Sequence, residues 1–148
     1  MSLKSRISDD VKQAMRAGDK ARVKTLRMAT AAIKQREVDE RVELDDAQVL
    51  AVVEKMIKQR RESAQQYRAG NRPELAEIEE AEIDLLKAYL PEQLTDEALD
   101  ELLTRAIEQT GASDMSSMGQ VMGLLKSKVQ GRADMGRVSA MVRQRLAG

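Results

Sequence analysis

Apolar residues recur at intervals of three and four along most of the chain, the spacing that places side chains on one face of an α-helix. The first stripe, Leu3, Ile7, Val11 and Met15, predicts a helix that ends near Gly18. Three further stripes follow: Val23, Leu26, Ala29, Thr30 and Ile33; then Val49, Val52, Val53, Met56 and Ile57; then Leu75, Ile78, Ile83, Leu86 and Leu90. Together they predict an elongated N-terminal bundle of four helices.

Polar residues, glycine and proline mark the ends of these helices. Asp19 is expected to cap the second helix, and Asp45 or Asp46 the third. The segment KQRRES at 58–63 is interpreted as a solvent-exposed continuation of the third helix. Gly70 and Pro73 then separate the third helix from the fourth, because proline is tolerated in the first turn of a helix.

Pro91, within YLPEQLTDEAL, marks the clearest boundary in the chain. Proline disfavours helical backbone at the residue before it and cannot donate a helical hydrogen bond, so the fourth helix should end just before Pro91. A fifth helix is expected to begin at Thr95 or Asp96 and to end at Gly111. We therefore predict two regions, a four-helix region at 1–92 and a three-helix region at 93–148.

The segment from Met118 to Ser139 contains four glycines and four basic residues. Gly119 and Gly123 lie four residues apart in a predicted sixth helix, and we expect them to allow close approach of another helix, since each disfavours a helix by about 1 kcal/mol relative to alanine. Gly131 is expected to end that helix in a left-handed conformation, and Asp134 to cap the seventh. The apolar positions of these two helices are Met118, Val121, Met122, Leu125 and Val129, then Val138, Met141, Val142 and Leu146.

Composition agrees with an all-α fold and excludes several kinds of chemistry. Tyr67 and Tyr89 are the only aromatic residues among 148, so aliphatic side chains and nine methionines must form the core. The chain has no cysteine and no histidine, which excludes disulfides, thiol catalysis and histidine bases and argues against structural zinc. No segment resembles a signal peptide or a membrane span, so we expect a cytoplasmic protein without a membrane partner.

Charge is segregated along the chain although its sum is zero. Residues 1–44 contain eleven Lys and Arg against seven Asp and Glu, and residues 45–69 contain five against four. Residues 70–115 contain three against thirteen, and residues 116–148 six against one. A basic region can attract a polyanion whatever the total charge, or it can pair with the acidic region within the fold. The sequence leaves both interpretations open.

Lys126, Lys128, Arg132 and Arg137 are the candidate binding residues, since they cluster around the predicted junction of the last two helices. Cations near a helix C-terminus contribute roughly 0.3–1 kcal/mol, and exposed cations aid solubility, so a structural role is one interpretation. Binding of a phosphate group, with free amides at the start of the seventh helix, is the other.

No catalytic, metal or cofactor site is predicted. Ser127 stands between Lys126 and Lys128, but adjacent residues on a helix do not face one another. The carboxylates between Glu77 and Asp84 are interpreted as a solvated helix face, and no phosphate-binding loop or dinucleotide motif is present.

Three segments of the chain resemble the YqeY-like family of small bacterial proteins, which shares a domain with GatB, a component of tRNA-dependent amidotransferases. They are YLPEQL at 89–94, MGQVMGLLKSKVQGRADMGRVSAMV at 118–142 and, near the start, LKSRISDDVKQAMRAGDKARVKTLRMATAAIKQRE at 3–37. The similarity extends over nearly the whole chain.

The resemblance implies an N-terminal helical bundle joined to a three-helix domain like the tRNA-contacting tail of GatB. It implies tRNA or another structured RNA as partner, with an aminoacyl-tRNA synthetase or an amidotransferase as a protein partner. Family members are also labelled carbon-nitrogen ligases with glutamine as amide donor. We interpret that label as inherited from the shared domain, because no nucleophile with an activating partner is visible. We favour a non-catalytic RNA-associated protein; the alternatives are a protein-interaction module and an amidotransferase accessory or enzyme.

Overall fold

A computed structural model describes residues 2–147, which form seven α-helices and one short 3₁₀ turn, with no β-strand among them. The helices are α1 (Leu3–Ala17), α2 (Lys20–Glu40), α3 (Asp46–Ala69), α4 (Pro73–Lys87), α5 (Asp96–Thr110), α6 (Met118–Val129) and α7 (Met135–Ala147), and the 3₁₀ turn Met115–Ser117 precedes α6. The predicted all-α fold class is confirmed.

The chain divides into two compact units, Met1–Leu90 and Pro91–Gly148. The N-terminal unit contains α1 to α4, and its core includes Ile7, Leu26, Ile33, Val53 and Leu86. The C-terminal unit contains α5 to α7, and its core includes Leu103, Val121, Leu125, Val138 and Val142. Each unit therefore buries an aliphatic core of its own.

Most helix ends lie where capping residues predict them. Gly18 and Gly111 adopt left-handed backbone with φ of 70° and 65°, a conformation that glycine adopts without strain. The Asp45 carboxylate accepts the Gln48 amide while the Gln48 side chain accepts the Asp45 amide, a reciprocal capping box at the start of α3. Thr95 caps α5 with a single hydrogen bond, because its hydroxyl oxygen accepts the amide of Ala98 at 3.1 Å.

The fourth helix is shorter than its apolar stripe predicts. α4 ends at Lys87, and Tyr89 and Leu90 donate their amides to the carbonyls of Leu86 and Lys87 in tight turns. Pro91 restricts the backbone of Leu90, and the turn directs Tyr89 into the core of the N-terminal unit.

Two residues of the predicted stripes point away from the core. The side chains of Met15 and Ile78 are 52% and 53% exposed, whereas Ala14 and Ala76 are buried. Steps of three and of four residues fall on either side of the helical turn of 3.6 residues, so a stripe built from either step drifts around the helix axis. The prediction that Met15 and Ile78 face the core is wrong for this reason.

The interpretation of KQRRES as solvent-exposed is wrong for Arg60, which is only 7% exposed. Its Nε donates to Glu82 Oε2 at 2.8 Å, and its Nη1 donates to the Met56 carbonyl oxygen at 3.2 Å. A buried charge is tolerated when it is paired and hydrogen-bonded, so this ion pair joins α3 to α4.

Gly119 and Gly123 do not mediate close packing within the chain, contrary to the prediction. Both are exposed, and a Cβ atom added at either would meet no heavy atom within 4 Å. The buried residues of α6 are Val121, Leu125 and Val129, which lie on its other side. Gly131 does end this segment in left-handed backbone, with φ of 74°, as predicted.

Tyr89 fixes the end of α4 against α1. Its hydroxyl donates to Asp10 Oδ2 at 2.5 Å, and its ring is 5% exposed. The Arg6 guanidinium lies 4.9 Å from the ring centroid and donates to the Ala88 carbonyl oxygen at 3.0 Å. Burial, together with the hydrogen bond to Asp10, raises the pKa of Tyr89 to about 12.

Replacing Tyr89 with Phe should alter the pH dependence of stability. The Tyr89 hydroxyl has a pKa of about 12 in the folded protein and an ordinary value of about 10 in the unfolded chain. Its contribution to folding stability is therefore complete below about pH 10 and is lost as pH rises through 12. At neutral pH, Tyr89→Phe should lower the free energy of unfolding by about 1 kcal/mol. The variant should then lose less stability than wild type between pH 10 and 12 in urea unfolding. Tyr67→Phe removes a hydroxyl that has no hydrogen bond within residues 2–147 and should retain the wild-type profile; equal profiles for all three proteins would contradict this role.

Alanine substitutions should separate the exposed glycine of α6 from the glycine that ends it. Gly123→Ala should raise the free energy of unfolding by about 1 kcal/mol, because it adds helix propensity in open space. Gly131→Ala should lower it by roughly 1–2 kcal/mol, since left-handed backbone is strained for alanine. Thermal or urea unfolding measures both, and the same sign for the two variants would refute this distinction.

Candidate nucleic-acid interface

The last turn of α6 positions Lys126 and Lys128 on the surface of the C-terminal unit. Leu125 and Val129 are buried on either side of them along the sequence, so the residues between are directed outward. Both lysines are exposed, and neither side chain has a hydrogen bond or ion pair within residues 2–147. The free carbonyl groups at this helix end favour cations there.

The turn after α6 is held by the segment that follows Pro91. Gln93 Nε2 donates to the Gly131 carbonyl oxygen at 2.7 Å, and the Leu94 amide donates to the Arg132 carbonyl oxygen at 2.8 Å. In the opposite direction, Arg132 Nε donates to the Glu92 carbonyl oxygen at 3.1 Å. Two motifs on which the family resemblance rests, YLPEQL and the glycine-rich segment, are therefore bonded to each other across about forty residues of chain.

Arg132 consequently has a structural partner, although no carboxylate neutralises it. Its partner is a backbone carbonyl, and the guanidinium also lines a shallow pocket of about 230 Å³ with Leu94 and Arg105. Arg105 is paired with Glu101 at 2.7 Å. The pocket thus places one unneutralised guanidinium beside one that is neutralised.

Arg137 is paired with a carboxylate, although its side chain remains exposed to solvent. Its Nη2 lies 2.5 Å from Oδ1 of Asp96, the first residue of α5. Asp134 caps α7, as predicted, because its carboxylate accepts the Gly136 amide at 3.2 Å. That amide is therefore not available to a phosphate group at this helix start.

The four candidate cations are thus in three different environments. Lys126 and Lys128 are exposed and unpaired, Arg132 is bonded to a carbonyl, and Arg137 is paired with Asp96. Arg143 on α7 is also exposed and unpaired within residues 2–147. Sequence reasoning missed Gln93 and Asp96 as partners, because the helical period of a segment contains no information about a contact forty residues away.

Ser127 and the carboxylates are the remaining side chains that the sequence singled out. The Ser127 hydroxyl is exposed and makes no hydrogen bond within residues 2–147. In the same residues, no group of three or more carboxylates is placed to hold a metal ion. No helix between residues 2 and 147 combines the length and the apolar character needed to cross a bilayer.

Comparison with known proteins identifies relatives over most of the chain. A family model described as "Yqey-like protein" matches residues 4–146, which confirms the resemblance seen in the sequence. The chain is similar to the "Altered inheritance of mitochondria protein 41, mitochondrial" of Pyrenophora tritici-repentis, at 32% identity over 130 residues, 86% of this chain and 71% of that protein. It is also similar to the protein of the same name from Clavispora lusitaniae, at 33% identity over 119 residues, 78% of this chain and 69% of that protein.

The side chain of Gln93 should stabilise the turn after α6. Gln93→Ala removes the donor to the buried Gly131 carbonyl and should cost about 1 kcal/mol, which corresponds to about fivefold faster hydrogen exchange at the amides of Leu94 and Arg132. Gln120→Ala is the matched control, because Gln120 is exposed on α6 and makes no hydrogen bond with its side chain in the described chain. Unchanged exchange in Gln93→Ala would show that the turn is held without it.

Proposed function

The chain belongs to the Yqey-like protein family, and on that premise we propose that it is a non-catalytic RNA-associated protein that contacts the phosphate backbone of tRNA or another structured RNA. The observation that supports this proposal best is the pair Lys126 and Lys128, two exposed lysines without a carboxylate partner in residues 2–147. Arg132 contributes a third charge next to them in the chain.

Local charge makes this surface suitable for a polyanion. Residues 116–148 contain six Lys and Arg and a single acid, Asp134, whose carboxylate caps α7. Arg137 and Arg145 are paired with Asp96 and Asp100 from α5. The cations that remain unneutralised are the ones that can neutralise RNA phosphates and so release the counterions condensed on the RNA.

The chemistry of the C-terminal unit favours recognition by shape. This unit contains no aromatic residue, since Tyr67 and Tyr89 both precede Pro91. Proteins that read unpaired bases commonly stack them on aromatic rings. We therefore propose contact with phosphates of a folded RNA, with no readout of base sequence.

We propose a cytoplasmic location for this chain. The two fungal relatives are named as mitochondrial proteins. Fractionation of the source cells, followed by detection of the chain, tests the location separately from RNA binding.

Removing the two free lysines should weaken tRNA binding and its dependence on salt. The double variant Lys126→Ala with Lys128→Ala should have lower affinity for unmodified tRNA. The slope of log affinity against log salt should also become smaller by about 1–2, because each phosphate contact contributes about one unit or less to that slope. Arg137→Ala should have a smaller effect, because Asp96 already neutralises that guanidinium. Filter binding across a salt series measures both quantities.

The matched control is Lys55→Ala combined with Lys58→Ala, which removes two exposed, unpaired lysines from α3 and gives the same net charge. Equal losses in the two double variants would indicate a diffuse charge effect and would refute the placement on α6. If wild type binds no tRNA but retains a synthetase or an amidotransferase at high salt, the RNA proposal is wrong and a protein-interaction role replaces it. An amide product from Glu-tRNA, glutamine and ATP with the isolated chain would refute the absence of catalysis.

A further inference from the structure

A groove between α1 and α2 runs along one face of the N-terminal unit. It has two parts, of about 600 Å³ and about 540 Å³, and Arg27 lines both. Residues of α2 that line it extend from Lys20 to Glu37, about 25 Å at the helical rise per residue. The groove is therefore long enough for a helix of about four turns.

Positive charge dominates this groove. Lys20, Lys24 and Lys34 line it, are exposed, and have no ion pair in the described part of the chain. Glu37 is the one carboxylate among its lining residues, and it accepts from Lys4 Nζ at 2.7 Å and from the Leu44 amide at 2.9 Å. These hydrogen bonds lower the pKa of Glu37. The Glu37 carboxylate is therefore already paired within the chain and does not neutralise the exposed lysines of the groove.

Apolar side chains form the floor of the groove beneath these cations. Met15 is 52% exposed there, and Ala14, Val23, Ala31 and Ile33 lie along the same face. An apolar floor with a basic rim is the pattern that binds an acidic amphipathic helix. A methionine adapts to the shape of such a partner, because it is unbranched and flexible. We call this surface, from Lys4 to Glu37, the basic groove.

The outer face of α4 has the complementary pattern. Ile78 is 53% exposed there, and Glu74, Glu77, Ala81 and Asp84 are also exposed, so these five positions together make up the solvent side of the helix. Glu77 and Asp84 have no partner within residues 2–147, whereas Glu80 and Glu82 are paired with Arg68 and Arg60. We call the face from Glu74 to Asp84 the acidic ridge. Because α4 has 15 residues, it is about 22 Å long and matches the length of the groove.

We propose that the basic groove of one copy of this chain binds the acidic ridge of a second copy. Ile78 packs on the floor near Met15 and Val23, and the carboxylates of Glu77 and Asp84 face the lysines of the rim. The contact joins two different patches, so it either closes into a reciprocal pair or continues from copy to copy. It uses only the N-terminal unit and does not depend on the RNA proposal, which concerns α6.

Charge reversal in trans tests this contact. The groove variant is Lys20→Glu with Lys24→Glu, and the ridge variant is Glu77→Lys with Asp84→Lys. All four residues are exposed, and circular dichroism of the full-length chains confirms folding. Sedimentation of nuclease-treated protein at low salt should show self-association of wild type and about tenfold or greater weakening in each variant alone, because like charges then oppose each other. An equimolar mixture of the two variants should recover the wild-type association, since the reversed groove then meets the reversed ridge.

The control variant, Lys55→Glu with Lys58→Glu on α3, makes the same change in net charge as the groove variant but lies outside both patches, and it should associate as wild type does. A wild-type chain that stays monomeric at every concentration overturns the proposal, and so does a mixture that fails to recover. If the groove variant loses tRNA binding and its mixture with the ridge variant does not recover self-association, the groove is a site for RNA. If wild type is monomeric and binds an acidic helical peptide, the groove is a site for another protein. Either result overturns self-association.

Discussion

The turn at Gly131 and Arg132 depends on a short run of hydrogen bonds to the segment 92–94, and the C-terminal unit is organised around it. The Leu94 amide, the Gln93 side chain and the Arg132 guanidinium each take part, so the entry to α5 is fastened to the junction of α6 and α7. Gly131, which has left-handed backbone, and Arg132 both use their carbonyl oxygens to accept hydrogen bonds from that segment. Pro91 belongs to the same arrangement, since Gln93 also donates to its carbonyl oxygen at 3.2 Å.

The carboxylates of α5 separate the paired cations of the C-terminal unit from the free ones. α5 supplies Asp96 and Asp100 to Arg137 and Arg145, while the last turn of α6 meets no carboxylate in the described chain. Four cations that look equivalent in the sequence thus differ in what they can bind. An arginine that is already paired should bind a phosphate group more weakly than a free cation does, because binding must first replace the existing ion pair. Because Lys126 and Lys128 are free whereas Arg137 is paired, the RNA contact is proposed chiefly at these two lysines.

The N-terminal unit separates buried from exposed charge in a similar way. The ion pair between Arg60 and Glu82 is buried and joins two helices, and removing one partner of such a pair typically costs roughly 3–5 kcal/mol. Lys20 and Lys24 on one surface, and Glu77 and Asp84 on another, have no such role within residues 2–147. Segregation of charge along the sequence therefore corresponds to oppositely charged surfaces as well as to internal pairs. The proposed contact between copies follows from that pairing of opposite surfaces.

Most helix ends, though not the end of α4, were determined by the sequence alone, because a cap is a hydrogen bond between residues two or three positions apart. Asp19, Asp45, Thr95 and Asp134 cap helices as predicted, and Gly18, Gly111 and Gly131 end them. The all-α class and the family also follow from the sequence, since helical period and motif are local patterns. Only the tertiary structure decided that Met15, Ile78, Gly119 and Gly123 face outward, that Arg60 is buried, and that Arg132 and Arg137 have partners. Those outcomes depend on which helices meet and at what rotation about their axes, and the free energy that sets the rotation comes from contacts between residues far apart in the chain.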